Sequence, residues 1–119
     1  MINVAYKIVE KQPDGSYKFL FYNRRKTFGF GNVLIAEKKW GYDGYNTDGS
    51  KKLYMTGIHV IETLELCLKY LKRFKRTDNK AIVFCEVEAV RRKPRSRYGV
   101  MLADSAVVLS EVFIPYEQK

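Results

Sequence analysis

The order of apolar and polar positions divides the chain into strand-like and helix-like stretches. Val4 to Glu10 alternates, Gln12-Pro13-Asp14-Gly15-Ser16 follows, and Tyr17 to Tyr22 is rich in β-formers. Proline presets φ, and glycine accepts the positive φ that closes the bend. That arrangement predicts a β-hairpin pairing 3–10 with 17–22. The short apolar run Val33-Leu34-Ile35 predicts a third strand within 32–37. In Thr63 to Lys75, residues Leu64, Cys67, Leu68, Leu71 and Phe74 recur at helical spacing and form one apolar stripe. Thr63 suits an N-cap, with Glu62 and Glu65 at the start and Lys72, Arg73, Lys75 and Arg76 at the end, as the helix dipole favours.

Ala81 to Val90 reads as the best strand. Ala81, Val83, Cys85, Val87 and Ala89 share one face, and Ile82 and Phe84 begin the other, which turns polar at Glu86 and Glu88. A central strand covered on both sides in its first half, and open on one side later, has that pattern. Strands over 98–102 and 106–114 complete the set, with Pro115 ending the last. Residues 38–52, rich in Gly, Asn, Asp and aromatics, show neither period and are expected to form a long surface loop. The elements together predict one α+β domain over 1–119: a mainly antiparallel sheet with a single amphipathic helix packed on it.

Charge changes the picture more than composition does. The chain has 119 residues, 46% of them apolar, so it can bury a core without metals or disulfides. Eleven of its 22 basic residues fall between Lys69 and Arg97, against three acidic ones, so this stretch carries +8 of the net +9. A surplus so concentrated makes a directional field that suits an acidic protein face or a polyanion. No apolar run approaches a membrane span, and the first residues lack the apolar core of a signal peptide, so a cytoplasmic location is expected. Cys67 and Cys85 sit in apolar periodic segments and read as small buried hydrophobes, a disulfide being the lesser reading. One histidine and two cysteines give no zinc-spaced ligand set, and no cofactor or metal is expected.

The candidate contact residues form three groups. Lys72, Arg73, Lys75 and Arg76 close the helix, and Arg91, Arg92, Lys93, Arg95 and Arg97 lie in the segment RRKPRSR. A ten-residue strand between these clusters could hold them as much as ~30 Å apart, at ~3.3 Å per residue. Trp40, Tyr42 and Tyr45 could stack on bases or anchor a protein contact, whereas Tyr22, Phe28 and Phe30 read as core. Phe28-Gly29-Phe30-Gly31 lacks the spacing of a phosphate loop and reads as a bend or bulge. His59 could serve as a catalytic imidazole with Glu86 or Glu88, but a hydrogen-bonded, half-buried histidine is the plainer reading. The two carboxylates are expected to pair across strands with the hairpin arginines.

Three segments carry a resemblance: Tyr6-Lys7-Ile8-Val9 with Pro13-Asp14-Gly15-Ser16 and Phe19-Leu20-Phe21-Tyr22-Asn23, then Gly57-Ile58-His59, then Val83-Phe84-Cys85-Glu86-Val87-Glu88. In that order they resemble small proteins encoded by tailed bacteriophages, a group without an assigned activity. Residues 38–52 and RRKPRSR depart from its pattern. The resemblance implies a viral accessory protein acting on a component of its host, in the host cytoplasm, and it supplies no catalytic residues. The leading expectation is therefore a non-enzymatic binding module that inhibits or redirects host defence or nucleic-acid-handling machinery. Direct binding of DNA or RNA, and a small transferase or nuclease-like activity using His59, are the alternatives.

Overall fold

The computed structural model describes residues 3–20, 27–36, 40–45, 51–55, 57–75, 77–92 and 98–112, with backbone alone for 40–45 and 51–55. Chain order is β1 (Val4–Lys11), β2 (Tyr17–Lys18), β3 (Val33–Ile35), β4 (Trp40–Tyr45), β5 (Lys51–Met55), β6 (Ile58–Ile61), α1 (Leu64–Leu71), β7 (Lys80–Glu88), β8 (Arg91–Arg92), β9 (Val100–Ala103) and β10 (Ser105–Val112). The architecture is the expected one, a mostly antiparallel sheet with one short helix packed on it.

The strands of the main sheet lie in the order β3-β10-β7-β1-β6-β9-β8, with β2 pairing the far end of β1. β7 with β8, and β10 with β9, are the two arms of one long hairpin: Glu88 faces Ser105 and Arg91 faces Leu102 in a single register. The arms are interrupted at Ala89-Val90 on one side and at Asp104 on the other. β10 pairs with β7, while β9, one residue earlier, pairs with β6 on the far side of β1. The sheet therefore curls until its two flanks meet at this corner. Ala89 takes a left-handed φ of 55° there, which an alanine adopts only under steric cost.

Curling gives the sheet an inside and an outside. Ala5 and Val9, Ile58 and Val60, Val83, Cys85 and Val87, Met101 and Ala103, and Ala106 and Val108 meet in one buried cluster drawn from five strands. The outer face of β1 and β7 carries Ile8 and Ile82, on which α1 sets Cys67 and Leu71, with Tyr6, Leu64, Leu68 and Phe74 at the margin. This is the two-sided covering expected of β7, and Glu86 and Glu88 are exposed where the helix stops. The expected inward place of Ala89 is not kept, because the corner turns it outward and exposes it.

The first hairpin forms but is short. Among the described residues, Glu10 pairs with Lys18 and Lys11 with Tyr17, and no others do. Its turn is closed by Gly15 at φ 89°, and Asp14 Oδ1 accepts from both the amide and the hydroxyl of Ser16. The Phe28-Gly29-Phe30-Gly31 stretch is a bend, as expected: Gly31 has φ 79°, and Asn32 Oδ1 accepts from the Gly29 amide at 2.7 Å. Phe28 is buried and bridged to Tyr17, but Phe30 is 61% exposed, so its assignment to the core was wrong. Phe30 still meets the Tyr17 ring, with centroids 5.9 Å apart, but from the exposed turn between Gly29 and Asn32. Tyr22 lies outside the described residues.

Two elements were not anticipated. β6 hides in Ile58-His59-Val60-Ile61, a run too short to show a period, and it bridges β1 to β9. The expected loop 38–52 contains instead the hairpin β4–β5, a two-stranded sheet. Its register runs from Trp40 opposite Met55 to Tyr45 opposite Lys51, with a shift between Asp43 and Tyr45 that leaves Gly44 as the extra residue. Alternating Trp, Tyr and Gly hides a strand because the glycines erase the apolar alternation.

Candidate functional site: the helix end and the hairpin tip

α1 starts where it should. The Thr63 hydroxyl accepts from the Leu66 amide at 3.2 Å, satisfying one of the open N–H groups of the first turn. It ends early, at Leu71. The Arg73 amide donates to the Tyr70 carbonyl and the Phe74 amide to that of Leu71, at 3.0 and 3.1 Å, which tightens the chain into a turn. Lys72 is therefore the C-cap, and Arg73 and Lys75 follow the helix rather than riding on it. The half-buried Phe74 anchors this turn on the helix-side core, and Lys72, Arg73 and Lys75 are exposed around it.

The return leg of the long hairpin docks on that same turn. Tyr98 meets Tyr70 edge-on with ring centroids 4.9 Å apart, and the Arg73 guanidinium lies 5.9 Å from the centre of the Tyr98 ring. Arg73 Nη1 also donates to the Tyr98 hydroxyl at 3.3 Å. Gly99, at φ 65°, accepts from the Glu62 amide, and a Cβ on it would lie 2.8 Å from Leu66 Cδ1. Only glycine combines that backbone with that approach to the helix. Tyr98 is the residue that directly follows RRKPRSR in the chain. The described end of the return leg, Tyr98 and Gly99, thus lies against α1 and its closing turn.

Not every basic residue of the segment is available. Arg91 Nη1 lies 2.7 Å from Asp104 Oδ1 and 3.3 Å from the Ala89 carbonyl, with both charged side chains two-thirds buried. It ties the two arms at the corner, so it is a structural residue and leaves the contact set expected from sequence. Its ion-pair partner is Asp104, where Glu86 or Glu88 was expected. Glu86 instead faces Val107, and Glu88 faces Ser105. Arg92 is exposed and lines, with Asn3, Val87, Glu88, Val90 and Met101, a cleft of about 540 Å³ at the corner. Arg76, Lys93, Arg95 and Arg97 lie outside the described residues.

Among the described residues, no ion pair holds Lys72, Lys75 or Arg92, while Lys69 sits 3.9 Å from Glu65 on an exposed surface. A pair of that kind contributes little and leaves the ammonium open to a better partner. Trp40, Tyr42 and Tyr45 fall at strand positions of β4, and the bulge at Gly44 places 40, 42 and 45 on one face of the hairpin.

The catalytic alternative loses its geometry. His59 is half-buried in the middle of β6, level with Ile8, whereas Glu86 pairs with Val4 on the opposite side of β1. Four residues along the strand and two strands across separate them by roughly 16 Å, too far to exchange a proton. Both cysteines are buried free thiols, as expected, and burial pushes Cys85 up to about 11 and Cys67 up to about 12. Among the described residues, no three His, Cys, Asp or Glu side chains come together as a metal site. Nor, among the described residues, is any helix long and apolar enough to cross a membrane.

The sequence reading missed Lys7. Flanked by Ala5 and Val9 at an inward position of β1, it is buried, and desolvation brings its ammonium down to about 8. Nζ donates to the His59 carbonyl at 2.7 Å and lies 5.0 Å from the centre of the Phe19 ring. β1 and β6 share one registered pair, Tyr6 with Ile61, before they part. Lys7 thus supplies a donor where the ladder has stopped. A lysine between two small apolar residues of an alternating strand was the signal available.

No family model matches the chain, and neither the curated proteins nor the solved structures offer a match. The fold and the clustering of charge are what remain to argue from.

Proposed function

We propose that this protein is a non-enzymatic binding module that covers an acidic surface of a macromolecular partner with its helix-end and hairpin-tip basic residues. The observation that supports the reading is the seating of Tyr98, the residue after RRKPRSR, on Tyr70 and Arg73 at the helix end. Lys72, Arg73, Lys75 and Arg92 supply the described charge. Arg76, Lys93, Arg95 and Arg97 add four more cations by sequence. Exposed cations without a carboxylate partner steer association and form charge-assisted hydrogen bonds on arrival. The phage-like segments, the first of which includes the Asp14–Ser16 turn, support a viral accessory protein directed at a host component, in host defence or nucleic-acid handling. Trp40, Tyr42 and Tyr45, placed together by register, would add packing to such an interface.

The test compares two variants of equal net charge. Lys72→Glu with Lys75→Glu removes charge from the proposed surface, and Lys18→Glu with Lys119→Glu, outside the basic stretch in sequence, removes the same charge. Each protein is titrated with poly-glutamate and with a DNA duplex at rising salt. The first variant should lose most of its affinity for one of these polyanions, and the second little. Equal losses would mean that net charge alone drives binding and would end the proposal of a defined surface. Preference for the duplex with a steep salt slope would transfer the reading to direct nucleic-acid binding.

A further inference from the structure

The outer flank of the sheet ends in β3, and its exposed positions are apolar. Val33 is 61% and Ile35 80% exposed, and Phe30, in the turn just before, is 61% exposed. β3 pairs with β10 on one side, and no described strand pairs with it on the other. The Ala36 amide donates to the Asp104 carbonyl at 2.9 Å, which fixes the alternation of the ladder. Leu34, two residues earlier, also bonds toward β10, so Val33 and Ile35 direct their N–H and C=O groups outward. β3 has no proline or inward lysine of the kind that blunts edge strands. A row of open backbone groups beside β-branched apolar side chains is the surface to which an extended peptide adds as a further strand.

Charge selects the occupant. Arg24, Arg25, Lys26, Lys38 and Lys39 flank the strand in sequence, against Glu37 alone. The exposed Glu86 and Glu88 lie two strands inward, about 14 Å from a strand added outside β3. That exceeds the Debye length of about 8 Å at physiological salt, so these two carboxylates repel an acidic strand only weakly. A second copy would bring another net +9 to the same place and is disfavoured.

We propose that β3 is a docking edge for an extended segment of a partner protein in which apolar side chains alternate with carboxylates. The inference deepens the reading above, since it makes the acidic partner a protein. The probe is an acetylated, amidated peptide of about eight residues alternating Val or Ile with Asp or Glu, set against the same peptide carrying Lys. The acidic peptide should bind by calorimetry and shift the Val33, Leu34 and Ile35 amide resonances. Val33→Pro and Ile35→Pro remove only outward N–H groups and should each weaken binding at least about tenfold with the melting temperature kept. Val33→Asp, which leaves the backbone alone, should weaken it as well. Undiminished binding by these variants, a preference for the Lys peptide, or no binding of the acidic one would overturn the inference. So would a dimer in sedimentation that Val33→Pro dissolves, which would give the edge to a second copy. Lys72→Glu with Lys75→Glu leaves β3 untouched, so its failure to matter would count against the basic surface alone.

Discussion

Replacing Lys7 by Met should stabilise this protein, and the gain should shrink as pH rises from 7 to 9. The ordinary lysine value of 10.5 falls to about 8 in the fold, with burial as the main cause. At 1.36 kcal/mol per unit, that bias amounts to about 3 kcal/mol against the charged form when both states are protonated. Methionine keeps the length of the side chain and removes the charge, but it leaves the His59 carbonyl without its donor, a loss of about 1–3 kcal/mol. The net expectation is a stabilisation of about 1–2 kcal/mol at pH 7.

The sign with pH follows from proton counts. Between pH 8 and 10.5 the unfolded chain holds a proton on Lys7 that the folded chain has released, so stability rises with pH in that window. Integrated from pH 7 to 9, the rise is about 1 kcal/mol. The thiols oppose it. Cys85 and Cys67 have folded values raised from 9 to about 11 and about 12, so the unfolded thiols ionise first and stability declines above pH 9. Urea unfolding of both proteins at pH 7, 8 and 9 isolates Lys7, because the cysteines are common to the two. The stability difference between variant and wild type should fall by about 1 kcal/mol over that range. A variant destabilised by several kcal/mol, with a pH-independent difference, would show that the bond to His59 outweighs burial, and the reasoning would fail.

Much of this fold was legible in the sequence because local rules and tertiary packing agree there. The stripe Leu64, Cys67, Leu68, Leu71 chooses helix and names the buried face, and Thr63 marks its start. In β7 the inward set Ala81, Val83, Cys85, Val87 and the outward break at Glu86 follow from a period of two alone. What could not be read depends on contacts between distant segments. Nothing local announces that a strand will be interrupted at Ala89-Val90, or that Tyr98 and Gly99 will settle on α1. Arg91 looked like one more cation in a basic run, and only the approach of Asp104, thirteen positions on, makes it a tie. The helix end was overrun by four residues because Lys72 to Lys75 have good helix propensity. Phe74 closes a tight turn there, which propensity does not see.

The candidate site divides in the same way. The concentration of charge between Lys69 and Arg97 is a property of the sequence, but whether it makes one surface or two depends on the corner. Lys7 escaped notice because alternation treats a lysine as an outward residue, and its burial is bought by the gap between β1 and β6.

Three further expectations rest on single contacts. Cys67 and Cys85 should resist an aromatic disulfide reagent in the folded protein and react at a rate that follows unfolding. Rapid labelling at neutral pH would contradict their burial. Arg91→Ala should lower stability by about 1–2 kcal/mol in thermal melts, and Arg91→Lys should recover little of it, because lysine cannot bridge the Asp104 carboxylate and the Ala89 carbonyl from one planar group. Gly57→Ala probes the same corner from the strand beside it: the added methyl would stand 2.9 Å from the Ala103 carbonyl oxygen and 3.0 Å from Arg91 Nη2. Backbone on one side and a pinned guanidinium on the other leave it no room, so unfolding should cost about 1–3 kcal/mol less, and the loss should be smaller in an Arg91→Ala background, where one of the two obstacles is gone.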